Sequence, residues 1–206
     1  MEPLRPQPGS DAVDDATLRY LMYGVLPGWF VPGIADWVMH RRTRIEDNAG
    51  VPESAIHALM MAEVGLPLAL ALAFEVDPAL LAVLLSAAGA HEATAVWDLR
   101  TAERSGREVR VAEQYIHNFL GSLPIMALSA LACLHADQMR ELGRRLTGRP
   151  AEAGLRLVRR RRPLPRRYLL AYALAAVGLV GLPYGEEFIR CVRAAVRRRR
   201  EEEAEG

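Results

Sequence analysis

Residues 55–98 read AIHALMMAEVGLPLALALAFEVDPALLAVLLSAAGAHEATAVWD. Two apolar runs, 55–75 and 78–98, are separated only by Val76, Asp77 and Pro78. Each run is about the 20 residues that an α-helix needs, at 1.5 Å rise per residue, to cross a hydrocarbon layer. A link this short permits only a tight helical hairpin. Pro78 suits the first turn of the second helix, where a missing N–H costs nothing. Working outward, comparable runs occur at 18–40, 115–135 and 168–188. The expected fold is all-α: a polytopic transmembrane bundle with a four-helix core and a fifth hydrophobic helix.

The expected organisation is a polar N-terminal segment over 1–16, a four-helix bundle over 17–136, an Arg-rich connection over 137–167, the fifth hydrophobic helix over 168–190 and a charged tail over 191–206. The N-terminal segment lacks the basic start and small-residue cleavage site of a signal peptide, so the first apolar run is expected to persist in the mature chain. Tyr20, Tyr23, Trp29, Trp37 and Trp97 lie mostly toward helix ends, as an interfacial aromatic belt requires.

The 206 residues carry a net charge of +1, and every basic side chain is an arginine. Together with abundant alanine and leucine, this reads as the composition of a GC-rich bacterial genome and places the chain in a bacterial inner membrane. Without aromatics interleaved among the arginines, nucleic-acid binding is not expected. Cys133 and Cys191 have no paired spacing and read as packing residues.

Arginine placement sets the orientation. Arg41, Arg42 and Arg44 follow the first run, and Arg100, Arg104, Arg107 and Arg110 follow the third, so both loops are expected in the cytoplasm. The link at Asp77 then faces the other side. The connection from Arg140 to Arg167 is also basic and breaks the alternation. Two escapes remain open: the fifth run, with Gly178, Gly181 and Pro183, is re-entrant, or the fourth, with Pro124, does not fully cross.

Three pairs share one spacing, a carboxylate followed four residues later by a histidine: Asp36/His40, Glu53/His57 and Glu113/His117. In a helix each pair lies on one face. His91 and Asp98 are seven apart on the third run, with Glu92 beside them. Up-and-down topology brings all four sets to one membrane level. Glu63 lies deeper, where an ionised acid needs a cation or donor. The expected metal ligands are His40, Glu53, His57, Glu63, His91, Glu92, Glu113 and His117, with Asp36, Glu46 and Asp98 supporting them. A straight helix turns Glu63 away from His57, so its approach would use a kink at Pro67. His135 is expected to be an ordinary histidine at the far end.

Imidazole and carboxylate without thiolate suit iron, manganese or zinc, and the number of ligands exceeds the needs of one tetrahedral zinc. Two iron ions are the favoured cofactor, with zinc as the alternative. The constellation over residues 36–117 resembles the carboxylate-bridged di-iron proteins, and more loosely the membrane-bound di-iron oxidases and hydroxylases. That resemblance implies glutamates and histidines converging from four helices. Here the pairs are four apart instead of three, and the histidine-rich boxes of membrane desaturases are absent.

The expected function is therefore a membrane di-iron oxidoreductase taking a lipid-soluble substrate or membrane lipid, served by an electron donor. Arg41 and Arg44 would hold an anionic head group. A zinc hydrolase using Glu53 or Ser54, and a non-enzymatic metal or haem carrier or assembly factor, are the alternatives.

Overall fold

The computed structural model describes residues 10–105, 110–149 and 156–206. Most of the polar N-terminal segment (1–9), Arg107 of the second basic loop and part of the Arg-rich connection (150–155) lie outside the described residues. Among those described, regular structure is entirely helical, apart from one isolated bridge between Phe74 and Arg159.

Four helices are long and apolar enough to cross a membrane: Gly50–Ala73, Pro78–Arg104, Val111–Leu134 and Arg166–Glu205. The first expected run is not among them. It is helical in pieces, α1 (Ser10–Tyr20), a π turn (Leu21–Val25), α2 (Leu26–Gly28) and α3 (Phe30–Thr43). A short 3₁₀ segment at Ile45–Asp47 leads to α4 (Gly50–Ala73), followed by α5 (Pro78–Arg104), α6 (Val111–Leu134), α7 (Ala136–Leu146), α8 (Arg166–Ala176), a second π turn (Val177–Gly181) and α9 (Leu182–Glu205).

The α4–α5 hairpin forms as its sequence requires. The Asp77 carboxylate accepts a hydrogen bond from the Leu80 N–H at 2.8 Å, and Pro78 occupies the first turn. Around this link Val76, Leu80 and Leu81 pack with Leu142 of α7 in an apolar core. The strand-like segment at 158–161 closes the same end. Arg160 donates from its backbone N–H to Ala73 and from its guanidinium to Ala71, satisfying carbonyls left open at the C-terminus of α4. Part of the Arg-rich connection thus serves as a helix cap.

One of the two escapes, a broken or re-entrant fifth run, is corrected by the continuity of the last helix. α6 is continuous through Pro124, and α8, the second π turn and α9 run as one 40-residue helix. This last helix lies alongside the first helical run. Tyr168 contacts Met22, Tyr172 contacts Leu26, and Tyr184 contacts Gly33.

Each π turn ends two residues before a proline, Pro27 or Pro183. In the first, the Leu26 N–H reaches back to the Leu21 carbonyl, and Pro27 offers no N–H, so the Met22 carbonyl loses its helical partner. The Tyr168 hydroxyl replaces it at 2.8 Å.

Apolar side chains dominate the outside of the long helices and are scarce within them. Only 6–22% of each apolar stretch is buried, and Leu66, Phe119, Leu170 and Leu174 are among the large side chains left exposed. The buried set instead includes Asp36, His40, Glu53, His57, His91, Asp98, Glu113 and Glu187.

Candidate metal centre

The cluster is assembled from five helical elements at the end opposite the Asp77 link. α3 brings Asp36 and His40, α4 brings Glu53 and His57, α5 brings Asp98, and α6 brings Glu113 and His117. The fifth contribution comes from α9, whose buried stripe is Tyr184, Glu187, Cys191 and Ala194. Spacings of three and four place these on one face, while Glu186 and Arg190 fall on its flank.

Glu187 is fully buried and holds two imidazoles at once. Its Oε2 lies 2.9 Å from His40 Nδ1, and its Oε1 lies 3.1 Å from His57 Nδ1. The two rings are stacked, with centroids 4.6 Å apart and planes within 4° of parallel. With both Nδ1 edges fixed on one carboxylate, both Nε2 edges face away from it.

Each Nε2 meets its own set of acids. His40 Nε2 is 3.6 Å from Asp36 and 3.8 Å from Glu113. His117 Nε2 joins this half at 2.8 Å from Asp36, whose other oxygen accepts from the Tyr184 hydroxyl at 2.9 Å. His57 Nε2 is 3.3 Å from Asp98, and Glu53 completes that half with ligand atoms within 4.8 Å of one another. Three overlapping trios have metal-holding geometry: Asp36/His40/His117, His40/His57/Glu187 and Glu53/His57/Asp98.

These residues fit metal ions by two observations. His40 Nε2, His57 Nε2 and Asp98 Oδ1 are buried without a hydrogen bond, a state that is costly unless something else engages them. Five buried carboxylates also outnumber three imidazoles in the cluster, so its acids exceed its histidines even if every ring is protonated. Glu187 engages both Nδ1 atoms, the place of a carboxylate that would orient ligating histidines, and leaves each Nε2 to face the other acids.

Of the expected ligands, His40, Glu53, His57, Glu113 and His117 converge. Asp36 and Asp98, expected only to support them, sit in the cluster itself. Glu63 and His91 do not join; His91 Nδ1 lies 3.6 Å from Glu63 Oε2, and Thr94 donates to the other Glu63 oxygen at 2.8 Å. Helical rise puts this pair about 9–10 Å deeper, since Glu63 is six residues beyond His57 and His91 seven before Asp98.

Glu92 is exposed on the flank of α5, because a step of about 100° from His91 carries it off the inward face. Glu46 instead pairs with Arg190, outside the cluster. Arg41 stacks over Trp37 at 5.3 Å and Arg44 pairs with Asp47 at 2.7 Å. His135 ends α6 at the far end of the molecule, where partial burial and nearby Arg160 push its imidazole below the ordinary range. Of the two cysteines, Cys191 is buried and Cys133 exposed.

A cavity of about 860 Å³ opens beside the cluster. His57, Asp98, His117, Asp36 and Tyr184 form its polar floor, and its walls are mostly apolar, including Met60, Leu68, Leu120 and Val180, with Glu92, Gln114, Asn118 and Ser122 among them. Its size lies toward the upper end of small-molecule sites, about 300–1,000 Å³. Glu187 and Tyr184 are the contributions that sequence spacing missed. The only signal was an acid ending an apolar run, with no histidine on its own helix. No protein-family model, curated protein or solved structure matches this chain.

Proposed function

We propose that the chain is a multi-pass protein of a bacterial inner membrane whose cluster holds two iron ions and, with electrons from a separate donor, oxidises a lipid-soluble substrate near the cytoplasmic face. The observation that carries this reading is the shared Glu187 clamp, which presents two parallel imidazoles to two separate acid sets beside a large apolar cavity. Ring centroids 4.6 Å apart suit a pair of ions spaced as in two-metal sites, about 3.5–4 Å. When bound, iron would supply the activation of dioxygen.

The chain's own residues prepare the site for that chemistry. Glu187 fixes both rings, and Tyr184 holds Asp36 from one side while His117 holds it from the other. The apolar walls exclude water and accept a lipid-like molecule. Exposed Leu66, Phe119, Leu170 and Leu174 on the long helices support insertion, since water would face an extended apolar surface there. Cytoplasmic placement of the cluster rests on the arginines of the short connections at 41–44 and 100–104 at its end, set against the basic connection from Arg140 to Arg167 at the other.

Metal analysis of protein purified in mild detergent tests the proposal. About two irons per chain and no Soret band are expected. One tightly bound zinc would instead select a hydrolase, built on the three-ligand half Glu53/His57/Asp98. A metal-free protein of undiminished stability would reduce the cluster to a structural polar network. Cysteine labelling tests the orientation: positions at 41–49 and 100–105 are expected to label from one side and Asp77 from the other. Labelling of the two basic loops from opposite sides would end the proposal.

A further inference from the structure

The Glu63/His91 pair stands apart from the metal cluster, and its surroundings give it a different task. His91 lines the large cavity and also a second one of about 160 Å³ toward the Asp77 end, which Glu63 lines as well. Trp29, Val64, Leu68 and Leu72 are shared by both cavities. The pair is therefore the polar point among the apolar residues where the two spaces meet.

Its geometry leaves two facing polar atoms without hydrogen bonds. His91 Nδ1 and Glu63 Oε2 are both buried without hydrogen bonds and stand 3.6 Å apart, too far to bond directly. As the side chains stand neither atom has room beside it for a water, so an oxygen bonded to both, at about 2.8 Å from each, would enter with a small rotation of one of them. Thr94, bonded to both the Ala90 carbonyl and Glu63 Oε1, holds the acid in place. A hydroxyl suits the pair in chemistry, because it can donate to the carboxylate and accept from the imidazole. An anionic group would be repelled by Glu63, and an alkane would leave both atoms unpaired.

We infer that Glu63 and His91 form a binding subsite for a single hydroxyl on an otherwise apolar, long-chain ligand, about 9–10 Å from the cluster. Resting on the proposed lipid-soluble substrate, the subsite would set which part of the chain lies over His57 and Asp98. It is a positioning site, separate from the metal ligands.

Native mass spectrometry of the full-length protein released from detergent micelles tests this with 1-hexadecanol against hexadecane. The wild-type chain is expected to retain the alcohol about fivefold better, the size of one net hydrogen bond. Glu63→Leu and His91→Phe are expected to bind hexadecane as the wild type does and to lose the preference, without loss of bound metal. Thr94→Val, nearly the same shape, is expected to weaken the preference in a folded protein if either larger change prevents folding.

Equal retention of alcohol and alkane by the wild type would mean that a water alone bridges the pair, and would overturn the inference. Preference surviving in Glu63→Leu and His91→Phe, or in Thr94→Val if those two fail to fold, would do the same. Loss of metal in a folded Glu63→Leu protein would assign the pair to the metal centre, against the inference. A metal-free wild type that still prefers the alcohol would sustain the subsite while removing the proposed oxidoreductase.

Discussion

The two ends of this bundle are held together by opposite means. At the Asp77 end Val76, Leu80, Leu81 and Leu142 bury apolar surface against one another, and Asp77 and Arg160 cap the helices. At the other end acids and imidazoles are buried beside a few apolar side chains such as Ile45 and Ile56, and the long helices turn much of their apolar surface outward. Apolar packing stabilises without a guest. A polar interior of this charge stabilises only when its members are mutually satisfied or a cation joins them. The Asp77 end is therefore expected to be indifferent to chelators, and the cluster end to depend on metal.

Removing metal is expected to have the largest effect. With free metal near a thousand times its Kd, binding contributes about 4 kcal/mol, which at this chain length corresponds to a fall of roughly 8–16 °C in Tm on chelation. Thermal unfolding with and without a chelator measures it. An unchanged Tm would erase the distinction between the two ends.

Substitution at either end sharpens the contrast. Leu81→Ala is expected to cost about 2–5 kcal/mol by opening a cavity in the apolar core, with metal content per folded chain unchanged. Glu187→Leu is expected to reduce both metals together, because both imidazoles lose their shared anchor; losing a group that orients a metal ligand typically weakens affinity about 10–100-fold. Asp98→Asn is expected to weaken only the half built on His57, so a titration should separate it from Glu187→Leu. The smallest effect is expected for His135→Ala, within about 0.5 kcal/mol and with metal content intact.

The parts legible in the sequence were those encoded within one helix. Asp77–Pro78 marks its own turn, and a carboxylate four residues before a histidine stays on the same face whatever packs beside it. Glu63 and His91 read in sequence as ligands with the rest, but depth along the helices separates them from the cluster. Glu92 was misplaced because adjacency in sequence is not adjacency on a helix. Glu187 was hidden for a different reason: its partners His40 and His57 are 147 and 130 residues away, and Glu186, Arg190 and Arg193 make its neighbourhood look like a solvated face. Arginines on both sides of the fifth run also argued against its crossing, although several of them have local tasks as caps and ion pairs.

The position of Glu187 also imposes a chronology on biogenesis. A growing chain that has reached Pro165 already contains His40, His57 and His117 and four of the five clustered acids, yet it lacks the carboxylate that locks two of the rings. Metal capture would then be postponed until the final helix docks against the first, so premature ions meet loosely held imidazoles. Chains released at residue 165 should accordingly exchange metal freely, and those extended past Glu187 should retain it through gel filtration. The last helix would thus act as the latch on a compartment whose walls were made earlier.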